Sequence, residues 1–311
     1  MSEMDKSSNQ IPYVLITPAH NEEGFIENLI QSVINQTVLP TKWVIVNDGS
    51  TDATATIVGK YLAKHPWMEM VEVPKRKDRS FAKKVHAFNV GYERVKNLEY
   101  DVIGCLDADV SFDEDYLEFL MSRFRENSHL GVGGTIFKQD GYSSETDSFE
   151  GENHVAGGCQ LFRRQCFEEV GGYIPNKDGG IDWIAVTTAR MKGWKTQSFR
   201  EKSFFHHRSL GTAERSQMAS TFSYGEKAYY LGGHPLWEFF RFAYRSTKRP
   251  YLVGGIVLYS GYLSAFLRQM KRPVSNELME FHRKEQMQKL KAILKSLVKY
   301  RRLDSFRVTP N

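Results

Sequence analysis

The sequence predicts an α/β fold: an open, mostly parallel sheet flanked by helices, followed by a basic helical extension at the C-terminal end. Three observations carry this expectation. Short apolar runs alternate with helix-period segments over the first half, polar loops directly follow three of those runs, and the charge changes sharply near Arg245.

The elements follow in order. Tyr13-Val14-Leu15-Ile16-Thr17 is an apolar run suited to a buried strand, and Ile26, Leu29, Ile30 and Val33 then recur at helical spacing up to Gln36. Trp43-Val44-Ile45-Val46 reads as a second strand, ending in Asn47-Asp48-Gly49-Ser50-Thr51-Asp52, a turn able to cap the helix that carries Ile57, Tyr61 and Leu62. Residues 68–73 give a third strand and Val85, Phe88, Tyr92 and Val95 mark a third helix. The run Val102-Ile103-Gly104-Cys105-Leu106 then leads into Asp107-Ala108-Asp109. Strands separated by helices argue for parallel pairing with crossover connections. Further on, 136–157 is rich in Gly, Ser, Asp and Glu and reads as an irregular loop. A strand is expected at 158–162, a short helix at 165–170 closed by Gly171-Gly172, and a helix at 182–192 stopped by Gly193.

Composition narrows the class. The 311 residues are 41% hydrophobic and 25% charged, a globular balance with room for a sizeable core. Cys105, Cys159 and Cys166 have no metal-ligand spacing and form no disulfide framework, which suits a reducing compartment. Residues 1–10 are polar, lack the apolar core of a signal peptide and read as a disordered tail. From Arg245 onward, 15 Lys and Arg face 4 Asp and Glu, which leaves 27 against 33 for the acidic body before it. The expected division is a tail at 1–10, one domain at 11–235, and a basic, amphipathic helical extension at 236–311.

In parallel sheets of this kind, ligands sit beyond the carboxyl ends of the strands. That places 18–23, 47–52 and 107–109 on one edge. Two carboxylates one residue apart at a strand end suit a hard divalent cation with oxygen ligands, although an acidic turn or helix cap has the same sequence. A shared solvated rim does not explain why each loop carries acids or amides directly after its strand, so the convergence favours a site.

Together these residues resemble the family 2 glycosyltransferases of the bacterial or archaeal surface-glycan type, inverting enzymes of the GT-A fold that use nucleotide-diphospho-sugars. The resemblance covers about 11–210 and rests on Thr17-Pro18-Ala19-His20-Asn21-Glu22-Glu23, Asn47 to Asp52, Lys84 with Ala87 and Asn89, Asp107-Ala108-Asp109, and Gly171-Gly172-Tyr173 followed by Gly180-Ile181-Asp182. It implies that Pro18, His20, Asn21, Glu22, Asp48, Lys84, Asp107 and Ala108 bind the donor. Asp48 would accept from the base, which favours a UDP-sugar. Asp107 and Asp109 would hold Mg2+ or Mn2+, with His207 a further candidate ligand. Asp182 would be the base that deprotonates an acceptor hydroxyl. Two positions depart from the family pattern: Ile181 stands where many members have Glu, and Lys83 where many have Gly. A sugar-nucleotide pyrophosphorylase would need a glycine-rich first loop, and 17–23 contains no glycine. The acids at 48, 107, 109 and 182 count against a non-catalytic nucleotide-sugar-binding subunit.

The basic run Lys75-Arg76-Lys77-Asp78-Arg79 suits either a solvated loop or a wall opposite a diphosphate. The stretch 251–267 is uncharged and bracketed by Arg245, Lys248 and Arg249 on one side and Arg268, Lys271 and Arg272 on the other. At about 1.5 Å per residue it falls short of the roughly 20 residues a span needs. Basic flanks at both ends also argue against crossing, so an interfacial helix or re-entrant hairpin is expected. The last helix, about 277–302, sets Leu278, Phe281, Leu290, Ile293, Leu294, Leu297 and Val298 against many lysines. That pattern fits a surface-seeking helix or one packed on the protein. Trp237, Phe239, Phe240, Phe242 and Tyr244 suggest an interfacial collar. The expected partners are the nucleotide-sugar, a glycan or lipid-linked acceptor, and an anionic membrane surface met through the extension, with no nucleic acid. The expected location is cytoplasmic, peripheral on the inner face of the cell membrane.

Overall fold

The computed structural model describes residues 11–74, 81–144, 151–208 and 217–298. The tail expected at 1–10, the basic run at 75–79, the stretch 145–150 and the chain beyond 298 lie outside them. Two compact units are present: one ends at Arg208, and the other takes the chain from Ser209 together with 149–151.

The first unit starts with β1 (Tyr13–Ala19), α1 (Ile26–Ile34), β2 (Lys42–Asp48), α2 (Thr54–Leu62), β3 (Met68–Val73), α3 (Phe81–Val95) and β4 (Val102–Leu106). Strands β3, β2, β1 and β4 lie side by side in that order, all parallel. Successive side chains of a strand point to opposite faces, and both faces are covered here. Tyr13, Leu15, Trp43 and Ile45 pack with Ile26, Leu29, Ile30 and Val33 of α1, while Val14, Ile16, Val44 and Val46 pack with Val85, Phe88 and Val95 of α3. Two-sided burial accounts for continuous rather than alternating apolar runs. The polar atoms inside are satisfied: Trp43 Nε1–H donates to Thr17 Oγ1 at 3.0 Å, and Tyr13 Oη–H donates to the Val38 carbonyl at 2.6 Å.

Beyond β4 the sheet is mixed. The unit continues through β5 (Val110–Ser111), α4 (Tyr116–Glu126), β6 (Leu130–Gln139), β7 (Tyr142–Ser143), β8 (Cys159–Arg163), α5 (Arg164–Val170), α6 (Ile181–Met191) and β9 (Lys195–His206). β8 runs antiparallel to both β4 and β6, β6 runs parallel to β9, and β5 closes the far edge antiparallel to β9. The expected loop at 136–157 is therefore strand over 136–139 and 142–143. The glycines in the first half of β6 are a packing requirement. A Cβ on Gly134 would stand 2.5 Å from Val155 Cγ1, and one on Gly131 would stand 2.6 Å from Trp194 Cβ.

The second unit is helical: α7 (Gln217–Tyr230), α8 (Pro235–Ser246), α9 (Val253–Leu267) and α10 (Asn276–Val298). Its boundary falls before α7 rather than at the expected 235/236. The reason is a reciprocal glycine contact. A Cβ on Gly225 of α7 would meet the Leu258 carbonyl of α9, and a Cβ on Gly261 of α9 would meet the Phe222 carbonyl of α7. Close backbone approach of this kind needs small residues on both helices. On α10, Leu278, His282, Gln286 and Ile293 are buried. Gln286 Oε1 accepts the His234 N–H at 2.7 Å, and Arg283 Nε donates to the Gly232 carbonyl at 2.9 Å. Of the two roles read for the last helix, this inward face fits the packed one. Trp237 is buried, so the expected aromatic collar is reduced; of its members only Phe239 is exposed.

Replacing Gly261 with leucine would force α7 and α9 apart. The expected loss is about 3 kcal/mol, the upper end of over-packing costs, read from urea unfolding of the full chain.

Candidate active site

The loops after β1 and β2 are stitched to each other. Asn21 sits at φ +54, a left-handed conformation that asparagine tolerates. Its N–H donates to Ser50 Oγ at 2.9 Å, and its Oδ1 accepts the Thr51 N–H at 2.8 Å. Glu22 N–H donates to Thr54 Oγ1 at 2.8 Å and Glu23 N–H to Asp52 Oδ2 at 3.0 Å. His20 Nδ1 donates to the Asp48 carbonyl at 2.7 Å, because a carbonyl only accepts. The Asp48 side chain is buried at the end of β2, and Pro18 pairs in register with Val46. These contacts make a rigid, polar cradle from two strand ends.

Asp107 and Asp109 follow β4. Asp107 N–H donates to the Gly158 carbonyl at 2.9 Å, and Ala108 between the two acids is buried in the core, which turns the carboxylates the other way. Lys84, from α3, rests its Nζ against Asp107 Oδ1. Burial, the largest single influence, would depress the Lys84 ammonium, but Asp107 beside it and the other acidic groups around it together outweigh that and raise its pKa. The same ammonium feels the carboxylate of Asp182.

Asp109 is almost enclosed. Burial, then the charge of Asp107, raise its pKa above the ordinary carboxylate value. The side-chain nitrogens facing it, His206 Nε2 at 3.7 Å and Arg208 Nε at 3.8 Å, stand beyond hydrogen-bond reach. Glu22, half-buried nearby, accepts from Arg208 at 2.7 Å. Burial pushes its carboxyl up to about 7, Arg208 opposes this, and Asp109 and Asp107 add to it. Crowded carboxylates with too little positive charge are the environment a divalent cation relieves.

Among the described residues, Asp107, Asp109 and His206 form a group whose ligand atoms lie within 4.8 Å of one another. His206 arrives because β5 and β9 pair antiparallel with Val110 opposite His206. Its Nδ1 donates to the Arg208 carbonyl at 2.7 Å, so Nε2 presents its lone pair towards Asp109. Fixing the tautomer through the other ring nitrogen is how ligating histidines are prepared. Two carboxylates and an imidazole are a donor set for a divalent cation.

Among the described residues, the group that could hold an ion contains His206 and not the expected His207. His207 Nε2 bonds Ser111 Oγ at 2.9 Å, its ring stacks on Phe25 at 6.1 Å, and its N–H donates to the Asp109 carbonyl at 2.9 Å. These contacts hold the strand; they leave the metal group to His206. Asp182 sits in the first turn of α6, after Gly180 in the left-handed conformation. A Cβ on Gly157 would lie 2.9 Å from Asp182 Oδ2, so only glycine lets the 155–158 backbone run against this carboxylate. Trp183 beside it is a core residue, 7% exposed. Arg208, unassigned from sequence, bonds Glu22 and lies 3.8 Å from Asp109, and its guanidinium lies 5.3 Å from the centre of the Phe25 ring.

The profile of glycosyl transferase family 2 matches residues 14–171. The chain belongs to this family. The matched stretch includes Asp48, Lys84, Asp107 and Asp109 but ends before Asp182 and His206. A poly-beta-1,6-N-acetyl-D-glucosamine synthase of Staphylococcus epidermidis is 29% identical over 210 residues, 61% of this chain and 47% of that protein. A hyaluronan synthase of Pasteurella multocida is 30% identical over 127 residues, 40% of this chain and 12% of that protein. The chain thus spans less than half the length of either relative. In solved structures the fold recurs in the mannosyltransferase PcManGT of Pyrobaculum calidifontis, in complex with GDP-Man and Mn2+, at a TM-score of 0.55 and 17% identity, over 94% of this chain and 81% of that one. GalNAc-T7 with UDP, GalNAc and Mn2+ gives 0.60 and 15%, over 93% and 58%. The GT-A fold expected from the motifs is the fold observed.

His206→Ala should weaken Mn2+ binding at least tenfold, about 1.4 kcal/mol, while His207→Ala changes it less than twofold; titration calorimetry distinguishes them. The raised Glu22 pKa has a pH signature. Between about 4.5 and 7 the folded chain holds a proton that the unfolded chain has lost, so stability falls as pH rises through that window. Glu22→Gln removes this slope. From pH 5 to pH 8 the variant should gain roughly 2–3 kcal/mol relative to wild type, read from urea midpoints without added metal.

Proposed function

We propose that the protein is an inverting, metal-dependent glycosyltransferase that moves a sugar from a nucleotide-diphospho-sugar to a hydroxyl of a glycan or lipid-linked acceptor. The observation that carries this reading is the Asp107, Asp109 and His206 group, set on the same strand-end edge as the β1 and β2 loops, with the Asp182 carboxylate in electrostatic reach of Lys84. A divalent cation bound there would neutralise the charge that develops on the departing nucleoside diphosphate.

The chain's own residues do the rest. Pro18, His20, Asn21 and Asp48 form the nucleoside cradle, with the buried Asp48 carboxylate as acceptor for a base N–H. Lys84 neutralises Asp107 and stands ready for the phosphates. Asp182, held against Gly157, takes the proton of the acceptor hydroxyl. The acceptor oxygen then bonds to the anomeric carbon from the face opposite the diphosphate, the bond from that carbon to the phosphate oxygen breaks with its electron pair leaving on the diphosphate, and the configuration inverts. No separate acid is required, because the leaving group departs as an anion.

A UDP-sugar is the favoured donor, supported by Asp48 and by the UDP in the GalNAc-T7 complex. A saccharide acceptor is supported by relatives named as hyaluronan, chondroitin and poly-beta-1,6-N-acetyl-D-glucosamine synthases. The proposal places the protein on the cytoplasmic face of the cell membrane, supported by the basic extension. A non-catalytic nucleotide-sugar-binding subunit would have no use for Asp182.

Incubating the chain with Mn2+ and a panel of nucleotide sugars should give turnover with one donor. Asp182→Asn should lower that turnover by at least 100-fold while leaving Mn2+ and nucleoside diphosphate affinity within twofold. Unchanged turnover in Asp182→Asn would remove the base from the mechanism.

A further inference from the structure

Helix α9 has no charged residue from Val253 to Leu267, so its sequence is that of a helix covered on every side. The second unit covers only one side. Gly254, Gly255, Leu258, Gly261, Tyr262 and Ala265 are buried; Gly261 and Gly255 meet the backbones of α7 and α8, and Gly254 lies against the Arg245 and Pro250 side chains. On the opposite side Leu252, Ile256, Leu263 and Leu267, spaced as neighbours along one helix face, are 63%, 56%, 40% and 77% exposed. Phe266 is exposed beside them, and Phe239 of α8, itself exposed, extends the surface through its contact with Tyr259 at 6.3 Å. A contiguous apolar surface of this kind marks a site of association.

Its surroundings select the partner. Exposed Lys248 and Arg249 precede the face, and exposed Arg268, ion-paired with Glu226 of α7, and exposed Lys271 follow it; the sequence from Arg245 to Arg272 contains no Asp or Glu. A second copy docked face to face would set one cationic collar against the other. A bilayer with anionic headgroups places apolar chains under the leucines and phosphates beside both collars. At 15 residues α9 extends only about 22 Å, short of the roughly 30 Å hydrocarbon core, and no helix among the described residues is long and apolar enough to cross a membrane.

We infer that the outer face of α9 is a monotopic insertion surface, lying in one leaflet of an anionic bilayer with Leu252, Ile256, Leu263, Phe266 and Leu267 in the acyl region and the two collars at the phosphates. This deepens the membrane part of the proposed function by assigning it to α9, not to the lysine-rich α10. It is independent of sugar transfer.

The test is co-flotation of the full chain with phosphatidylcholine vesicles, with and without 30% phosphatidylglycerol, alongside sedimentation velocity without lipid. Wild type should float with the anionic vesicles at least tenfold more than with the neutral ones. The Ile256→Asp, Leu263→Asp double variant should lose flotation while keeping its helical circular dichroism and its Mn2+ affinity. The Lys248→Ala, Lys271→Ala variant should lose the preference for anionic lipid. Wild type that does not float overturns the membrane reading and this assignment together, without touching the transferase reading. Flotation unchanged in the double variant keeps a membrane partner but overturns α9 as the surface. A wild-type dimer that the double variant converts to monomer, with no flotation, assigns the face to a second copy and overturns the proposal.

Discussion

Negative charge crowded at the carboxyl edge of a parallel sheet is the constraint to which the rest of the catalytic unit responds. Asp107, Asp109 and Glu22 converge where water is scarce, and burial pushes the carboxyls of Asp109 and Glu22 above their ordinary values. Repulsion of this kind persists only when the backbone over-determines it. Here the main-chain bonds from Asp107 to Gly158 and from His207 to Asp109 fix both acids from outside their own strand. The compensating groups come from distant parts of the chain: Lys84 on α3, His206 on β9, and Arg208 just after it. Each reaches the edge through a different element, so the site is a product of the whole sheet rather than of one motif.

The same constraint separates the two reactive ends. Lys84 is held up in pKa by Asp107 and also feels Asp182, so one cation links the donor side to the proposed base. Gly157 lies against Asp182 from the other side, and its lack of a side chain is what the approach of the 155–158 backbone demands. Gly158, next in sequence, accepts from Asp107. A single short backbone stretch therefore contacts both Asp107 and Asp182.

Much of this was readable before any coordinates, and the boundary between read and unread has physical causes. β1, β2 and β4 and the helices between them follow from continuous apolar runs, because strands buried on both faces leave no ambiguity about where they lie, whereas the edge strand β3 reads Met68-Glu69-Met70-Val71-Glu72-Val73 and is only partly buried. The convergence of the β1, β2 and β4 loops follows from parallel topology alone. What was missed lies in the mixed half. Only 136–139 of β6 reads as loop, and the glycine-rich 130–135 before it carries no strand signal, because its glycines answer to Trp194 and Val155 across the sheet. α4 carries Tyr116, Leu117, Leu120, Met121 and Phe124 at helical spacing, a signal that was available. β9 is broken by Arg200 to Lys202 and shifts register against β6 near that break. Without β9 the choice between His206 and His207 has no basis, since strand alternation is what sends one ring to the acids and its neighbour to Ser111. In the second unit, the sequence marked the uncharged α9 but could not show that glycine contacts cover only half of it.

The central claim is that Asp107, Asp109 and His206 together hold the ion that receives the leaving diphosphate. Crystals grown with Mn2+ and a nucleoside diphosphate, measured at the manganese absorption edge, test it most directly. The account predicts one anomalous peak about 2.2 Å from an Asp109 oxygen and from His206 Nε2, with a diphosphate oxygen in the same shell. A peak bound by His207 in place of His206, or a diphosphate seated on the β1 and β2 loops with no peak beside Asp109, would contradict it.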